Sequence, residues 1–451
     1  MEGSNLTQGN LSKNMRKLLI PLIFTNILNS IYTIVDGIWV GNLIGDVGVA
    51  TVTNSFPIIS IIVSISTGLA VGTSVLISQY YGAKNQERVK SVSGVSYILT
   101  AIIGVLSTVI LMLLSETLLK ITHIPNEILV QAKQYILIYL IGYMFYFIFD
   151  LIIQSLRAIG DSKNPMKLVI VMTTMNMILD PILIKIGLGT FGAGLATAIS
   201  LIFGTIVAII YVNKKSDLLK FDLKRIKIKK EYTLEILKVA LPVALQEFIF
   251  SLVYFIELDL VNQMGVIGTA AYGVVEKIAT IIYIIGTSFQ TLTTVTIGQF
   301  IGDNKIDSTK EVIKNALKLA IIPFILSAIV LYVFPRESCR IFVSSTEVID
   351  AAMKYISIIS IIILLIPIRG ILTGFIIGTG HTKFVVFSML CAQGTEILVL
   401  YILRNSSIDI LTKAGIAVTA FWIVKMMLEL IYCFSGRWKK NVITEEGVIW
   451  V

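Results

Sequence analysis

The sequence predicts an all-α polytopic membrane protein, with twelve transmembrane helices in two six-helix bundles related by a pseudo-twofold axis along the membrane normal. Its composition, its apolar segments and an internal repeat together predict this fold class. The chain has 451 residues, of which 56% are apolar and 14% are charged, and its mean hydropathy is +0.87. A soluble domain carries roughly 25% charged residues, so this chain cannot cover a water-exposed surface with polar groups.

Apolar segments long enough to cross a bilayer recur twelve times along the chain. They lie near residues 18–43, 48–78, 92–117, 131–157, 166–187, 191–212, 235–263, 268–298, 313–335, 352–379, 384–403 and 414–435. Most of the 37 Lys and Arg residues fall in connections on the same side as the N-terminus. The positive-inside rule therefore predicts a multi-pass protein of the cell (inner) membrane with both termini in the cytoplasm.

The charge pattern also bears on the partners of the chain. The net charge of +9 does not indicate nucleic-acid binding, because the basic residues lie between apolar segments rather than along one face. The one long polar connection, "NKKSDLLKFDLKRIKIKKEYT" at 213–233, is interpreted as a basic cytoplasmic linker. Binding of anionic lipid by this linker, or a regulatory role, is the alternative. The lipid bilayer is the predicted environment, and we expect a monomer.

The two sides of the linker resemble each other at an offset of 220 or 221 residues. The matched pairs are Pro21 with Pro242, Asp36 with Glu257, Gln79 with Gln299, Gly82 with Gly302, Asn176 with Glu396 and Gly194 with Gly415. The predicted domains are an N-terminal lobe at 1–212, a C-terminal lobe at 234–437 and a cytoplasmic tail at 438–451. Two duplicated six-span lobes of equal orientation are typical of alternating access, so the repeat favours a secondary transporter.

A lone carboxylate in the first apolar segment predicts a functional site. Asp36, in "IYTIVDGIWVGN", is the only charged residue between Lys17 and Asp46. A charge in lipid costs at least ~2.5 kcal/mol, so it is normally absent unless it has a function or a partner.

The fifth and sixth segments offer partners for this acid. Asn176 and Asp180 are four residues apart and share one helical face. Pro181 cannot donate to the Met177 carbonyl, so we expect a bend and a free acceptor there. Thr197 adds a hydroxyl from the sixth segment, and the rise per residue places these groups in the outer half of the membrane.

Together these side chains form an all-oxygen set that suits a hard cation such as Na+. Two buried carboxylates that repel each other also favour the binding of a proton. The alternative is structural: Asn176 and Asp180 bond across helices, and Asp36 faces water at a helix end.

The second half is predicted less sharply. Glu257, Asp259, Glu276 and Glu396 lie in apolar segments, and the repeat gives weight to Glu257 and Glu396 as second-lobe candidates. Lys425 and Glu429 are four residues apart and are expected to neutralise each other. Several aromatic side chains either line a substrate cavity or belong to the core and the lipid-facing surface. These are Tyr32, Tyr139, Tyr143, Phe145 and Phe149.

The motifs exclude other function classes. No "GxxxxGK[ST]" motif occurs, so export would be driven by an ion gradient rather than by ATP bound in a P-loop. The three cysteines stand apart and there are only two histidines, so no cofactor and no metal other than Na+ is expected. The loops are short and lack a catalytic cluster, so the chain is not predicted to be an enzyme.

Residues 15–435 resemble the multidrug and toxic compound extrusion (MATE) family. The resemblance rests on "PLIFTNILNSIYTIVDGIWVGNLIG", "SQYYGAKN", "LRAIGDSKNP", "NMILDPILIKIGLGTFGAGLATA", "LPVALQ", "AAYGVVEKIA" and "GQFIGDNK". It implies two six-helix lobes and efflux of organic cations or other amphiphiles, driven by inward H+ or Na+. Relatives with a first-lobe cation site imply roles for Asp36, Asn176, Asp180 and Thr197, with Tyr32 one turn before the first acid.

The chain departs from one bacterial branch of that family. The acidic positions that this branch uses in its second lobe align roughly with Phe250 and Ile366. We therefore expect the ion to couple in the first lobe. The wider superfamily includes flippases for lipid-linked sugars or other lipid precursors, which is the alternative function, but the few cations in the spans favour drug efflux.

Overall fold

The computed structural model describes residues 3–121, 124, 126–221, 229–262, 264–440, 443–444 and 447–448. Side chains are described for these residues except 126, 253–262 and those from 440 onward. The predicted linker and tail thus lie partly outside the described residues. Apart from a two-residue antiparallel pair, β1 (Ile443–Thr444) with β2 (Gly447–Val448), the regular structure of the described residues is helical.

The α-helices follow the predicted apolar segments closely. The first six are α1 (Leu11–Leu43), α2 (Asp46–Gly82), α3 (Gln86–Ile121), α4 (Asn126–Ala158), α5 (Lys163–Leu183) and α6 (Gly189–Lys215). The others are α7 (Lys230–Asn262), α8 (Gly265–Gly302), α9 (Thr309–Ala328), α10 (Pro335–Arg340), α11 (Thr346–Gly378), α12 (Thr382–Leu403) and α13 (Ile410–Ser435). The short α10 was not predicted.

Ten stretches of the described residues are long and apolar enough to cross a membrane. One of them, Lys163–Lys215, contains both α5 and α6, and α7, whose side chains are only partly described, is not among the ten. The all-helical class with about ten to twelve apolar helices is confirmed. The protein is a multi-pass membrane protein.

The chain divides into two compact units. Unit 1 comprises Met1–Asn5 and Ile20–Ser251, and unit 2 comprises Leu6–Leu19 and Leu252–Val451. The predicted lobes, 1–212 and 234–437, stay a prediction. The division into units differs from them, because the beginning of α7 belongs to unit 1 and the beginning of α1 belongs to unit 2.

Close helix packing explains why the first part of α7 belongs to unit 1. A Cβ atom at Gly68 of α2 would lie 2.3 Å from the Cβ of Ala244, and one at Gly72 would lie 2.5 Å from the Cα of Ala240. Small residues on both helices let their backbones approach within this distance. At the end of α2, the Tyr80 hydroxyl also donates to Glu235 Oε2 of α7 at 2.9 Å.

Unit 2 is held by close helix approach and by a buried ion pair. A Cβ atom at Gly370 of α11 would lie 2.1 Å from the carbonyl oxygen of Gly286 of α8. On α13 the Lys425 ammonium bonds to Glu429, as the sequence predicts, and both side chains are buried. Glu429 also accepts hydrogen bonds from Thr373 of α11 at 2.7 Å and from Ser388 of α12 at 3.4 Å, so this network ties three helices together.

The region after Pro181 departs from a regular helix. The α5 helix continues through Pro181 to Leu183 and then widens into a π-helical turn at Ile184–Leu188. Gly187 in this turn has φ of +96°, a backbone conformation that glycine adopts without steric cost. The turn leads directly into α6, which places α5 and α6 side by side. The expected free carbonyl at Met177 stays a prediction.

Candidate functional site

Three of the predicted site residues meet between α5 and α6. Asp180, Asn176 and Thr197 are 0%, 2% and 3% exposed. The hydrogen-bond pattern orients the Asn176 amide so that its Nδ2 donates to Asp180 Oδ2 at 2.8 Å. Its oxygen then accepts from the Thr197 hydroxyl at 3.3 Å and from the Thr197 backbone N–H at 3.2 Å. The amide therefore bridges the acid on one helix to the hydroxyl on the next.

Small residues on α6 allow this approach. A Cβ atom at Gly204 would lie 2.8 Å from Met172 Cγ of α5. A Cβ atom at Gly142 of α4 would lie 2.5 Å from the Cα of Ala198 of α6. Ala198 directly follows Thr197 and Gly204 comes two turns later on α6, and a larger side chain at either glycine would push the helices apart. The small side chains of the "GLATA" run, residues 194–198, thus let α6 approach its neighbour closely at Thr197.

The α1 helix supplies the remaining two residues. The half-buried Asp36 side chain lies in hydrogen-bonding range of Asp180, and the Tyr32 side chain lies in the same range of Thr197. The other face of α1 exposes apolar side chains such as Ile34, at 61% exposure, and Ile38, at 49%. Burial and lipid exposure therefore divide α1 into two faces, and Asp36 lies on the protein-facing side.

The two carboxyl groups of Asp36 and Asp180 lie close together. Two ionised carboxylates in contact repel each other, and no cationic side chain is among the described partners of Asp36 or Asp180. A bound cation or a proton between the two carboxyl groups removes the repulsion. The carboxylates, the amide oxygen and the hydroxyls are oxygen ligands of the kind that hard cations prefer. The group is thus chemically suited to bind and release a small positive ion.

The second-lobe candidates have different surroundings. Glu396 of α12 is 3% exposed and accepts from Gln393 Nε2 at 3.1 Å. Glu276 of α8 is half-buried, and its backbone carbonyl accepts from Thr280 at 2.8 Å. The side chains of Glu257 and Asp259 lie outside the described residues. The role of these four acids stays a prediction.

The aromatic side chains of α4 form an ordered series that was only partly predicted. The rings of Tyr135, Tyr139, Tyr143 and Tyr146 follow one another with centroid separations of 5.8, 5.1 and 4.8 Å. Phe149 continues the series at 5.7 Å and is buried, whereas Phe145 is exposed.

Sequence reasoning missed a buried acid on the same helix. Asp150 is 8% exposed, and Arg157, two turns further along α4, is 7% exposed. The signal was present in "FIFDLIIQSLRA", where an acid and a base stand seven residues apart within one apolar segment. Such a spacing places both on one face of a helix.

Comparisons with known proteins agree with this architecture. The sequence profile of the MatE family matches twice, at residues 21–182 and 242–402, on either side of the linker. The chain is 30% identical over 441 residues to the probable multidrug resistance protein YoeA of Bacillus subtilis, a match that covers 96% of this chain and 95% of that protein. It is 24% identical to the probable multidrug resistance protein NorM of Thermotoga maritima, over 97% of this chain and 95% of that protein.

The fold matches solved transporters as well. A structure described as the outward-facing conformation of a multidrug resistance MATE family transporter of the MOP superfamily aligns with a TM-score of 0.89. The match covers 98% of this chain and 99% of that one at 22% sequence identity, which shows the shared fold. The family is one of transporters rather than enzymes. With two copies of its profile in one chain, full-length relatives and the same fold, this protein belongs to the MatE family of multidrug and toxic compound extrusion transporters.

Proposed function

We propose that this protein is a secondary active antiporter that exports amphiphilic, cationic organic compounds in exchange for H+ or Na+. The observation that carries the proposal is the meeting of Asp36, Asp180, Asn176 and Thr197, with Tyr32 beside them, in unit 1. Two acids in contact, with no cationic side chain among their described partners, favour the binding of a positive ion. The curated relatives, which are named as multidrug resistance proteins, support organic small molecules as the exported substrates.

The proposed mechanism follows from charge. Ionised Asp36 and Asp180 attract a cationic substrate to the cavity wall, and uptake of H+ or Na+ by the pair removes this attraction, so the substrate leaves. Neutralising the pair also relaxes or bends α1 at Gly37, where an added Cβ would meet no heavy atom within 4 Å. Coupling requires that the ion and the substrate prefer different states, because equal affinity for both states shifts nothing.

The topology completes the proposal. The positive-inside pattern supports cytoplasmic termini and insertion in the cell membrane. In that orientation Asp36 and Asp180 lie in the outer half of the bilayer, accessible to ions from outside. Two six-helix lobes, 1–212 and 234–437, would then alternate access by rocking within one monomer.

The test is dye efflux from proteoliposomes with an imposed pH gradient or an imposed Na+ gradient. Asp36→Asn and Asp180→Asn keep the size and remove the charge, and both are expected to abolish gradient-driven efflux. The matched control is Glu396→Gln, which neutralises a buried acid on α12. We expect this control to retain efflux.

The outcomes separate the alternatives. Unchanged efflux in both first-lobe variants would rule out the site. Efflux lost in Glu396→Gln alone would move coupling to the second half. A wild-type protein that moves no cationic dye under either gradient, but translocates a labelled lipid-linked sugar, would be a flippase.

A further inference from the structure

A second cluster of buried polar groups lies at the other end of α4 from the candidate ion site. The Asp150 carboxyl group lies beside the Ser66 hydroxyl of α2 and the Gln154 amide. Arg157 Nη1 donates to Gln154 Oε1 at 3.3 Å. Among the described residues, neither Ser66 Oγ nor Arg157 Nε has a hydrogen-bond partner of good geometry, although both atoms are buried. Native proteins rarely leave such groups unpaired, so the cluster has capacity for an exchangeable ligand.

The tyrosine series connects this cluster to the candidate ion site. Tyr135 and Tyr139 lie within electrostatic range of Asp36 and Tyr32. From there the rings continue along one face of α4 with no centroid separation above 5.8 Å.

The far end of the series reaches the second acid. Tyr143 and Tyr146 lie within electrostatic range of Asp150. The series from Tyr135 to Asp150 covers about 22 Å along the helix at ~1.5 Å per residue. That length is most of the ~30 Å hydrocarbon thickness of a bilayer.

Four phenols on one helical face, of which Tyr135 and Tyr143 are buried and Tyr139 and Tyr146 half-buried, are an unusual choice for packing alone. A phenylalanine would fill the same volume without the cost of burying a hydroxyl, and Phe149 does so at the end of the series. A phenol hydroxyl is both donor and acceptor. Each phenol oxygen can therefore accept one proton and pass its own proton to the next group, so that a proton moves with no net change in any tyrosine. No metal ion could move in this way.

The charge next to Asp150 favours a proton over a metal ion. Among the described residues, the charged and titratable groups that face Asp150 are Arg157, Tyr143 and Tyr146, all on α4, while α2 presents the uncharged Ser66. The fixed positive charge of Arg157 repels Na+. It also stabilises the carboxylate that remains after a proton leaves, which favours release.

We propose that Asp150 is an intramembrane proton-exchange residue, connected to the Asp36–Asp180 pair by the tyrosines of α4. A proton taken up by the pair passes along the hydroxyls of Tyr139, Tyr143 and Tyr146 and leaves from Asp150 at the opposite side of the membrane. The inference rests on the proposed antiport and assigns H+ as its coupling ion.

The test measures H+ movement and substrate movement together, in proteoliposomes that contain a pH-sensitive dye. Asp150→Asn and Tyr143→Phe are expected to lose efflux driven by the pH gradient and the accompanying H+ flux, while substrate binding in detergent persists. Asp150→Glu keeps a carboxyl group and is expected to retain both fluxes. The matched control is Tyr97→Phe, which removes a buried hydroxyl that donates to the Leu219 carbonyl at 2.9 Å, away from the series.

A spectroscopic readout separates proton exchange from a structural role. Infrared difference spectra between acidic and neutral pH should contain a carboxylic-acid band that is absent in Asp150→Asn and shifted in Asp150→Glu. If Asp150→Asn fails to fold, as judged by size-exclusion chromatography, Tyr143→Phe decides, because it deletes one oxygen atom.

Failure of this inference differs from failure of the antiport proposal. Wild-type H+ flux in both Asp150→Asn and Tyr143→Phe would overturn the pathway, even if Asp36→Asn and Asp180→Asn abolish efflux. A wild-type protein driven by Na+ alone would also overturn it and leave antiport standing. No efflux under either gradient would remove both proposals.

Discussion

The buried ion pair of unit 2 permits a quantitative prediction. Glu429 is 0% exposed and accepts from three groups: the Lys425 ammonium, the Thr373 hydroxyl at 2.7 Å and the Ser388 hydroxyl at 3.4 Å. Glu429→Ala leaves the Lys425 charge buried and unpaired. Breaking a buried pair on one side costs about 3–5 kcal/mol. The two lost hydroxyl bonds add roughly 1 kcal/mol each.

The double variant Lys425→Met/Glu429→Leu should behave differently. Replacing both charges with apolar side chains of similar volume is neutral or stabilising by about 1–4 kcal/mol, because neither charge must then be desolvated. The orphaned hydroxyls of Thr373 and Ser388 offset part of this gain. Each can still donate to a carbonyl of its own helix, as Ser388 does to Val385 at 2.9 Å. We therefore expect the double variant to lie within about 2 kcal/mol of the wild type.

The assay is reversible denaturant unfolding in mixed micelles, followed by circular dichroism. Asp350→Ala is the control, because it breaks an exposed pair with Arg336 whose bond is 2.6 Å long. Exposed pairs contribute about 0–1 kcal/mol, so this control should lose little. If Glu429→Ala costs less than about 1 kcal/mol, or if the double variant is as unstable as the single one, the reasoning about desolvation is refuted.

Three further predictions concern pH, packing and tolerance. The bond from Lys354 lowers the pKa of Asp409, which caps α13 outside the membrane span, to about 2 from the ordinary 3.8. The stabilisation from this carboxylate is therefore complete above about pH 5 and is lost as the pH falls towards 2. Acid titration of the unfolding midpoint should show this loss in the wild type and not in Asp409→Asn. Gly72→Val should cost about 1–3 kcal/mol and lower the yield of folded protein, because its side chain would overlap Ala240. Gly273→Ala on α8, where a Cβ meets nothing within 4 Å, should unfold at or above the wild-type midpoint.

The sequence predicted the spans well because hydropathy alone determines where a chain can enter lipid. The lone acid Asp36 could also be predicted, since a charge stands out in an apolar segment. The pair Asn176 and Asp180 could be predicted because residues four apart share one face of a helix. The contact between α1 and α5 is long-range, and only the common depth of these residues in the membrane and the family resemblance suggested it.

Other features could not be read from one sequence. The buried cluster of Asp150 and Arg157 was overlooked because basic residues near a span end ordinarily reach the headgroups, and because Ser66, which lies beside Asp150, comes from α2. The position of early α7 in unit 1 depends on Gly68 and Gly72 meeting alanines more than 160 residues away. Small residues are common in membrane helices, so such a pattern does not identify its partner.

The Lys425–Glu429 pair of unit 2 and the two acids of the candidate site in unit 1 differ in how their charge is balanced, and this difference bears on where coupling occurs. At the offset of 221, Lys425 and Glu429 fall on Gly204 and Ala208 of α6, so unit 1 has no counterpart of the neutral ion pair. At the offset of 220, Asp180 falls on Leu400, so the described part of unit 2 has no counterpart of the second acid.

An external ion lowers the free energy little where a charge is already neutralised inside the protein. Between two acids in contact, the same ion removes their electrostatic repulsion. Unit 2 thus contains a compensated pair that stabilises helix packing, whereas the candidate site of unit 1 contains two acids that no cationic side chain among their described partners neutralises. Moving the compensation, by replacing the bridging amide with a base in Asn176→Lys, one turn from Asp180, should therefore lock unit 1 in its ion-loaded arrangement. Substrate binding should then become independent of pH and Na+, and a persisting ion dependence would contradict the argument.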